Sequence, residues 1–152
     1  MVPVTYLSSE SLRDGGFVVS PDGLVLVNPA SIDLRVAQEL ELEPGEFALA
    51  STVETVAMPD HCVGFISGKS SNAREGLLVE AAGLVDPGFR GTITLELCNL
   101  SDYTVEIREG LRICQLSVAL LDRPTAISYH AVGHYHLQAG PTPSWYRLRR
   151  GL

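Results

Sequence analysis

Three stretches of this 152-residue chain combine side chains able to act on a small polar or anionic molecule. The first is Gly68-Lys69-Ser70-Ser71-Asn72-Ala73-Arg74, where a glycine, two hydroxyls and two cations follow an apolar run. Backbone N–H groups at a helix start, with hydroxyls and cations, suit a phosphate. The same residues also make an ordinary capped turn with solvated charges, serine being a favoured N-cap. The glycine spacing of a Walker A loop is absent. The second stretch is Gly83-Leu84-Val85-Asp86-Pro87-Gly88-Phe89-Arg90-Gly91. Asp86 either caps an Asx-type turn before Pro87 or stands as a general base at a strand end. Phe89 is either core or a ring on which a sugar rests. The third is Glu96, which shares alternate positions with Thr92 and Thr94. On a solvent-facing sheet it is an ordinary surface carboxylate. Facing a pocket, it would have its pKa raised by desolvation into the range useful for moving protons.

Other chemistries find less support. Of His61, His130, His134 and His136 only the last two are close, and no cysteine or carboxylate lies at ligand spacing, so no metal site is expected. The pattern H-x-E followed by P-C-x-x-C is absent, as are a nucleophile elbow and a G-x-G-x-x-G turn. Cys62, Cys98 and Cys114 are odd in number and widely spaced, which suits buried, unpaired thiols. Lys69 is the only lysine in the chain.

Short strands broken by turns must position these residues. Ser8 to Asp14 reads as one short helix ended by Gly15-Gly16. Ser31–Val36, Phe47–Ala50, Val53–Val56, Val63–Ile66 and Leu77–Val79 read as strands, and Leu24–Val27 is an apolar run closed by Asn28-Pro29. The clearest strand is Thr92–Cys98, with Ile93, Leu95 and Leu97 on one face and Thr92, Thr94, Glu96 and Cys98 on the other. Val105 and Ile107 alternate on the next strand, and Ile113–Leu121 is the last. This density of strands and Gly/Pro turns predicts an all-β sandwich or barrel. Beyond Asp122 the pattern fades, and Gly140-Pro141-Thr142-Pro143-Ser144 excludes regular helix or central strand. This tail is expected to be either disordered or a flap that orders over something.

The net charge of −7, from 11 basic and 18 acidic side chains, argues against broad nucleic-acid binding. With 45% apolar residues the chain is expected to fold as one domain. No run approaches a membrane span and no leader pattern opens the sequence, so a cytoplasmic protein without membrane partners is expected.

Taken in order, Ser31-Ile32-Asp33-Leu34-Arg35, then Gly68-Lys69-Ser70-Ser71-Asn72-Ala73-Arg74, then Gly83–Gly91, then Thr94-Leu95-Glu96-Leu97-Cys98-Asn99, then Arg112-Ile113-Cys114-Gln115, resemble the dCTP deaminase and dUTPase superfamily. The tail Tyr135-His136-Leu137-Gln138-Ala139-Gly140-Pro141-Thr142-Pro143-Ser144 is similar to the deaminase C-terminus rather than to the glycine-rich last motif of dUTPases. The resemblance spans about residues 29 to 144. It implies one dUTPase-type domain over residues 1–152, a distorted β-barrel or jelly-roll with a short N-terminal helix, and residues 123–152 as a C-terminal flap over the nucleotide.

It further implies a homotrimer with sites between subunits, and zinc-independent hydrolytic deamination of dCTP. Glu96 would be the acid/base, taking a proton from water and passing it to cytosine N3. Ser70 and Arg74 would hold the water and Glu96. Asp86 would contact the deoxyribose, or activate the water that attacks the α-phosphate as in dUTPases. Phe89 would pack on the sugar and exclude a 2′-hydroxyl. Lys69, Ser71, Gln115, Tyr129, His134 and Gln138 would be triphosphate contacts, with Asn72, Ala73, Ala82, Thr94 and Leu95 completing the nucleotide site. Mg²⁺ would ride on the triphosphate, and dTTP is the candidate feedback inhibitor.

The chain departs from the deaminase pattern in several places. Leu84 replaces a usual arginine, as in forms that also hydrolyse dUTP. The stretch from Gly76-Leu77-Leu78-Val79 to Asp86 is one residue short. His134 replaces a tail lysine, and the region between Ala37 and Phe47 is abbreviated. Three readings therefore stand: dCTP deamination to dUTP, alone or with pyrophosphate release to dUMP; dUTP hydrolysis only; and a catalytically silent nucleotide-binding regulator.

Overall fold

Alternation of apolar and polar side chains builds the two longest strands of the computed structural model, which describes residues 5–79 and 82–151. Strand β10 (Arg90–Asn99) buries Gly91, Ile93, Leu95, Leu97 and Asn99 and turns Thr92, Thr94, Glu96 and Cys98 the other way. It pairs antiparallel with β6 (Phe47–Ala57), the register running from Arg90 opposite Ala57 to Cys98 opposite Phe47. With β2 (Val18–Val19) and β8 (Leu77–Val79) they form a four-stranded sheet in the order β2-β6-β10-β8.

A second sheet faces it. Its path is β3 (Leu26–Val27), β4 (Ile32–Arg35), β12 (Arg112–Leu120), β7 (Cys62–Gly68) and β9 (Leu84–Val85), with β1 (Thr5–Tyr6) also on β12. A two-stranded ribbon pairs β5 (Leu40–Leu42) with β11 (Val105–Ile107). The described residues include four short helices: α1 (Ser9–Asp14), α2 (Ser70–Arg74), α3 (Tyr129–Val132) and α4 (Trp145–Arg150). The all-β, dUTPase-type barrel and the short N-terminal helix expected from the sequence are what the structure has.

The core fills the space between the sheets. Leu34, Leu95, Leu97, Ile113 and Leu116 are fully enclosed. Each such side chain is worth roughly 1.5–3 kcal/mol of apolar burial. Cys62 and Cys114 are buried and Cys98 is half-buried, all as free thiols; burial pushes the Cys62 thiol up. Two buried polar side chains, Glu54 and Asn99, are fully engaged. Glu54 accepts from the backbone N–H of Arg35 at 2.8 Å and from its Nε at 2.7 Å. The same guanidinium reaches Asp22 at 2.7 Å. Asn99, fully enclosed, donates to Leu42 O and Tyr103 O and accepts from Ser101.

Two strands differ from the sequence reading, and the tail takes local structure that the reading did not specify. Phe47–Ala50 and Val53–Val56 are halves of one eleven-residue strand. The polar pair between them is not a break, because Gln38 Oε1 accepts from Ser51 N, and Thr52 Oγ1 accepts from Ile93 N across a bulge in β6, where residues 52–54 stand opposite Ile93. Only Leu26–Val27 of the run Leu24–Val27 is strand; Leu24 and Val25 are exposed. The tail is neither featureless nor a strand. It carries α3 and α4, and between them Gln138 lies on β10.

Candidate active site

The turn Asp86-Pro87-Gly88-Phe89 fixes the first carboxylate. Phe89 N donates to Asp86 O at 3.1 Å, Pro87 occupies the second position and Gly88 the third at φ +83, which is the type II arrangement. Gly88 has a second reason to be glycine: an added Cβ would lie 1.8 Å from Ser128 Oγ. Met58, just past the end of β6, grips the turn, its N donating to Phe89 O and its O accepting from Gly88 N. Asp86 is thus held exposed at the rim, while Phe89 turns inward, 7% exposed.

A cavity of about 460 Å³ opens beside this turn. Thr94 and Glu96 enter it from β10, and Phe47 and Leu49 from the neighbouring β6, where Leu49 is the register partner of Glu96. Asp86, Ala82 and Leu84 line its rim. Phe89 meets Tyr129 of α3 edge to face at 5.6 Å between centroids. Burial first, then the Asp86 charge, pushes the Tyr129 phenol up, against the bond from Tyr135 N that lowers it. Glu96 therefore faces a pocket with one apolar wall, not open solvent.

The tail closes the same cavity. Leu137 N donates to Arg90 O at 2.6 Å, and Thr92 N donates to Gln138 O at 3.0 Å. Gln138 Nε2 donates to Thr92 O at 2.8 Å. Thr142 N donates to Thr94 Oγ1 at 3.1 Å. Gly91, at φ +153, admits this approach, since a Cβ there would meet Gln138 O at 2.8 Å. Leu137 reverses the chain in the left-handed region at φ 60. Tyr135 OH accepts from Trp145 N at 2.8 Å, which seats α4 so that Arg147 lines the cavity.

The remaining candidates form a second group. Ser70, Ser71, Ala73 and Arg74 are exposed on α2, and Asn72 donates to Arg112 O and Ile113 O of β12. Lys69 Nζ lies 2.6 Å from Asp33 Oδ1, and Gln115 bonds Ser31 and Ser67. None of Lys69, Ser70, Ser71, Arg74 or Gln115 lines the cavity. Ser70 and Arg74 are therefore not brought to Glu96 within one chain, because α2 follows β7 and packs on β8 and β12 instead. Leu95 is fully enclosed in the core and does not line the cavity. His134 does not line the cavity either. It stacks on Trp145 at 4.1 Å, and Arg149 lies 4.4 Å from the centre of the Trp145 ring.

Sequence reasoning did not single out Tyr135, Thr142, Ser144 or Arg147, all of which line the cavity. Only the anchoring of the tail on β10 brings them there, and no periodicity announces it. Residues 80 and 81, on which part of the shortened-loop expectation rests, lie outside the described residues. Among the described residues no three His, Cys, Asp or Glu side chains group to hold a metal ion. Among the described residues no helix is long and apolar enough to cross a membrane.

Residues 37–121 match a family model described as dCTP deaminase-like. A protein of Dictyoglomus thermophilum named "dCTP deaminase, dUMP-forming" is 46% identical over 116 residues, covering 74% of this chain and 60% of its own length. The chain thus spans about three fifths of that curated relative. Among solved structures, a 2′-deoxycytidine 5′-triphosphate deaminase from Agrobacterium tumefaciens superposes with a TM-score of 0.68 at 19% identity, over 77% of this chain and 49% of that one. The dUTPase of Staphylococcus bacteriophage 80alpha does so with a TM-score of 0.60 at 20% identity, over 83% and 95%.

Proposed function

Because the chain belongs to the dCTP deaminase-like family, we propose that it deaminates dCTP hydrolytically and releases pyrophosphate, giving dUMP. The observation that carries this reading is the meeting of two carboxylates, Glu96 and Asp86, in one cavity large enough for a nucleoside. The two differ in setting. Glu96 stands half-buried on a strand beside Leu49, while Asp86 is exposed on a turn. Two carboxylates in unlike environments suit two different proton tasks.

In the deamination Glu96 takes a proton from water and delivers it to N3 of cytosine. Hydroxide adds to C4, a proton reaches the amino group, and ammonia leaves: dCTP and water give dUTP and ammonia. No zinc is needed where a positioned carboxylate activates the water. In the second step Asp86 takes the proton of a water that attacks the α-phosphorus, and the bond to the bridging oxygen breaks: dUTP and water give dUMP and pyrophosphate. Phe89 and Tyr129 present an edge-to-face pair on which the sugar rests. Leu84, exposed at the rim, adds an apolar side chain there.

Phosphate recognition falls to the cations outside the cavity, Lys69 and Arg74, with Ser70, Ser71 and Gln115. Since these do not face the cavity of their own chain, a complete site needs the corresponding surface of another copy, and a homotrimer supplies it with closed symmetry. Mg²⁺ arrives on the triphosphate; it favours oxygen ligands and keeps phosphate oxygens and water. The tail from residue 123 onward acts as the cover over bound nucleotide, dTTP competes for the same site, and the enzyme works in the cytoplasm. The test is to incubate the protein with dCTP and with dUTP in the presence of Mg²⁺ and to measure ammonia and pyrophosphate separately. Both products from dCTP are expected. Pyrophosphate from dUTP without ammonia from dCTP would make it a dUTPase, and neither product would leave a nucleotide-binding regulator.

A further inference from the structure

Asp33 is a buried carboxylate that the chemistry above does not use. Its side chain is 1% exposed. Oδ1 accepts from Lys69 Nζ at 2.6 Å and from Asn28 Nδ2 at 2.7 Å, and Oδ2 lies 3.4 Å from an Arg112 guanidinium nitrogen. It sits in the second sheet on one cross-strand row with Gln115 and Ser67. Ser67 and Gln115 are themselves bonded. The ammonium it holds belongs to the only lysine of the chain, one residue before α2.

A buried ion pair is weak evidence for stability, because desolvation offsets most of the attraction. What it does supply is geometry. Lysine is a strongly hydrated charge on a flexible stem, and ordering that stem is a cost any phosphate contact must otherwise meet. Here the cost is met before a ligand arrives. One of the three Nζ donors engages Asp33, which leaves two for an anion. The Lys69 side chain is 20% exposed against 1% for Asp33, so the ammonium lies between the carboxylate and solvent. With Arg112, 59% exposed, as the second cation, the cluster keeps a net positive charge despite Asp33.

We propose that Asp33 is a positioning residue of the phosphate subsite: it fixes the Lys69 ammonium, and through it the binding of the terminal phosphates of a nucleoside triphosphate. This rests on the nucleotide reading above. The test is a double-mutant cycle on the full chain with Asp33→Asn, Lys69→Met and the pair, reading dCTP and dCMP affinity by calorimetry and the KM and kcat of turnover. Asp33→Asn keeps shape and one acceptor while removing the charge. It is expected to weaken dCTP by roughly three- to tenfold, to leave dCMP unchanged, to raise KM with kcat kept, and to have no effect on dCTP once Lys69 is methionine. An equal loss in the Lys69→Met background, or an equal loss for dCMP, overturns the proposal and leaves the nucleotide reading standing. A wild-type chain that binds no dCTP overturns both. A second measurement needs no variant. Lysine labelled with ¹³C at Cε gives one side-chain resonance from this chain. Saturating dCTP should shift it; a resonance unmoved by bound dCTP overturns the proposal even where Asp33→Asn fails to fold.

Discussion

Gln138 clasps the peptide of Thr92 at both ends, its carbonyl accepting from Thr92 N at 3.0 Å and its Nε2 donating to Thr92 O at 2.8 Å. A residue of the tail is thereby locked two positions from Thr94 and four from Glu96, on the strand that carries the proposed acid/base. The tail is held by hydrogen bonds more than by apolar burial, so it is the segment most easily released.

Gln138→Ala keeps the backbone bond and removes the side-chain one. Limited proteolysis should then cut between residues 139 and 144 at a higher rate than in the wild type. The melting temperature should fall only slightly, since a single such bond is worth about 1 kcal/mol. Turnover of dCTP should fall at least in proportion to the fraction of open tail. Unchanged protection would show that Thr142 and α4 hold the tail without Gln138.

Glu96→Gln and Asp86→Asn separate the two reactions. The first should cut ammonia release by roughly 10²–10⁴-fold, the worth of a positioned acid–base group. Nucleotide affinity should stay near that of the wild type. The second should abolish pyrophosphate release from dUTP and weaken deamination less. Ammonia and pyrophosphate assays on the same samples check both, and equal losses in both reactions for each variant would undo the division of roles.

If Arg74 serves the cavity of another copy, two dead variants should rescue one another. Glu96→Gln and Arg74→Ala chains, each inactive alone, should regain activity when unfolded together and reassembled. In an equal mixture about a quarter of the interfaces join an intact Glu96 to an intact Arg74. Light scattering should give the mass of three chains. Mixing without recovery would place Arg74 in its own chain's site or in none.

Acid should loosen the corner where Asp22 meets Arg35. The Arg35 guanidinium first, then the Ser20 hydroxyl, holds the Asp22 carboxyl well below its usual range. A depressed folded-state pKa favours the fold above the unfolded pKa of about 3.9, and the benefit fades as pH falls toward the folded value. Urea midpoints followed from roughly pH 5 to pH 2.5 should drop for the wild type and drop less steeply for Asp22→Asn. Parallel slopes for the two proteins would remove Asp22 from the acid transition.

The thiols should react in the order of their burial. Cys98 is half-buried, while Cys62 and Cys114 are enclosed and burial raises the Cys62 thiol further. A thiol reagent at neutral pH should label one cysteine in the folded chain and three after denaturation. Fast labelling of Cys62 would contradict its enclosure in the core.

What could be read from the sequence followed from local rules. The alternation of Ile93, Leu95 and Leu97 against Thr94 and Glu96 depends only on the two-residue period of a strand, and Asp86-Pro87-Gly88 announces its own turn. The long strand Phe47–Ala57 was hidden because Ser51 and Thr52 are polar, and the partners that satisfy them, Gln38 and Ile93, are remote in sequence. The split of the candidate residues into a cavity group and a Lys69 group is a matter of tertiary placement, as is the arrival of Arg147 beside Glu96's cavity. The place of Leu95 was legible from its own alternation, which points it inward; its inclusion among ligand contacts came from the resemblance.

The anchoring of Gln138 on Thr92 bears on solubility as well as on the site. Strand β8 covers β10 only from Leu97 to Asn99, so the backbone of β10 around Arg90 and Thr92 has an outer edge with no strand beside it. Residues 137 and 138 occupy the polar groups of that edge. An open edge is a template on which other chains can pair. A chain ending before Leu137 should therefore lose more than a cover over nucleotide: it should self-associate through β10, and thioflavin-positive aggregates should form at concentrations where the full chain stays clear.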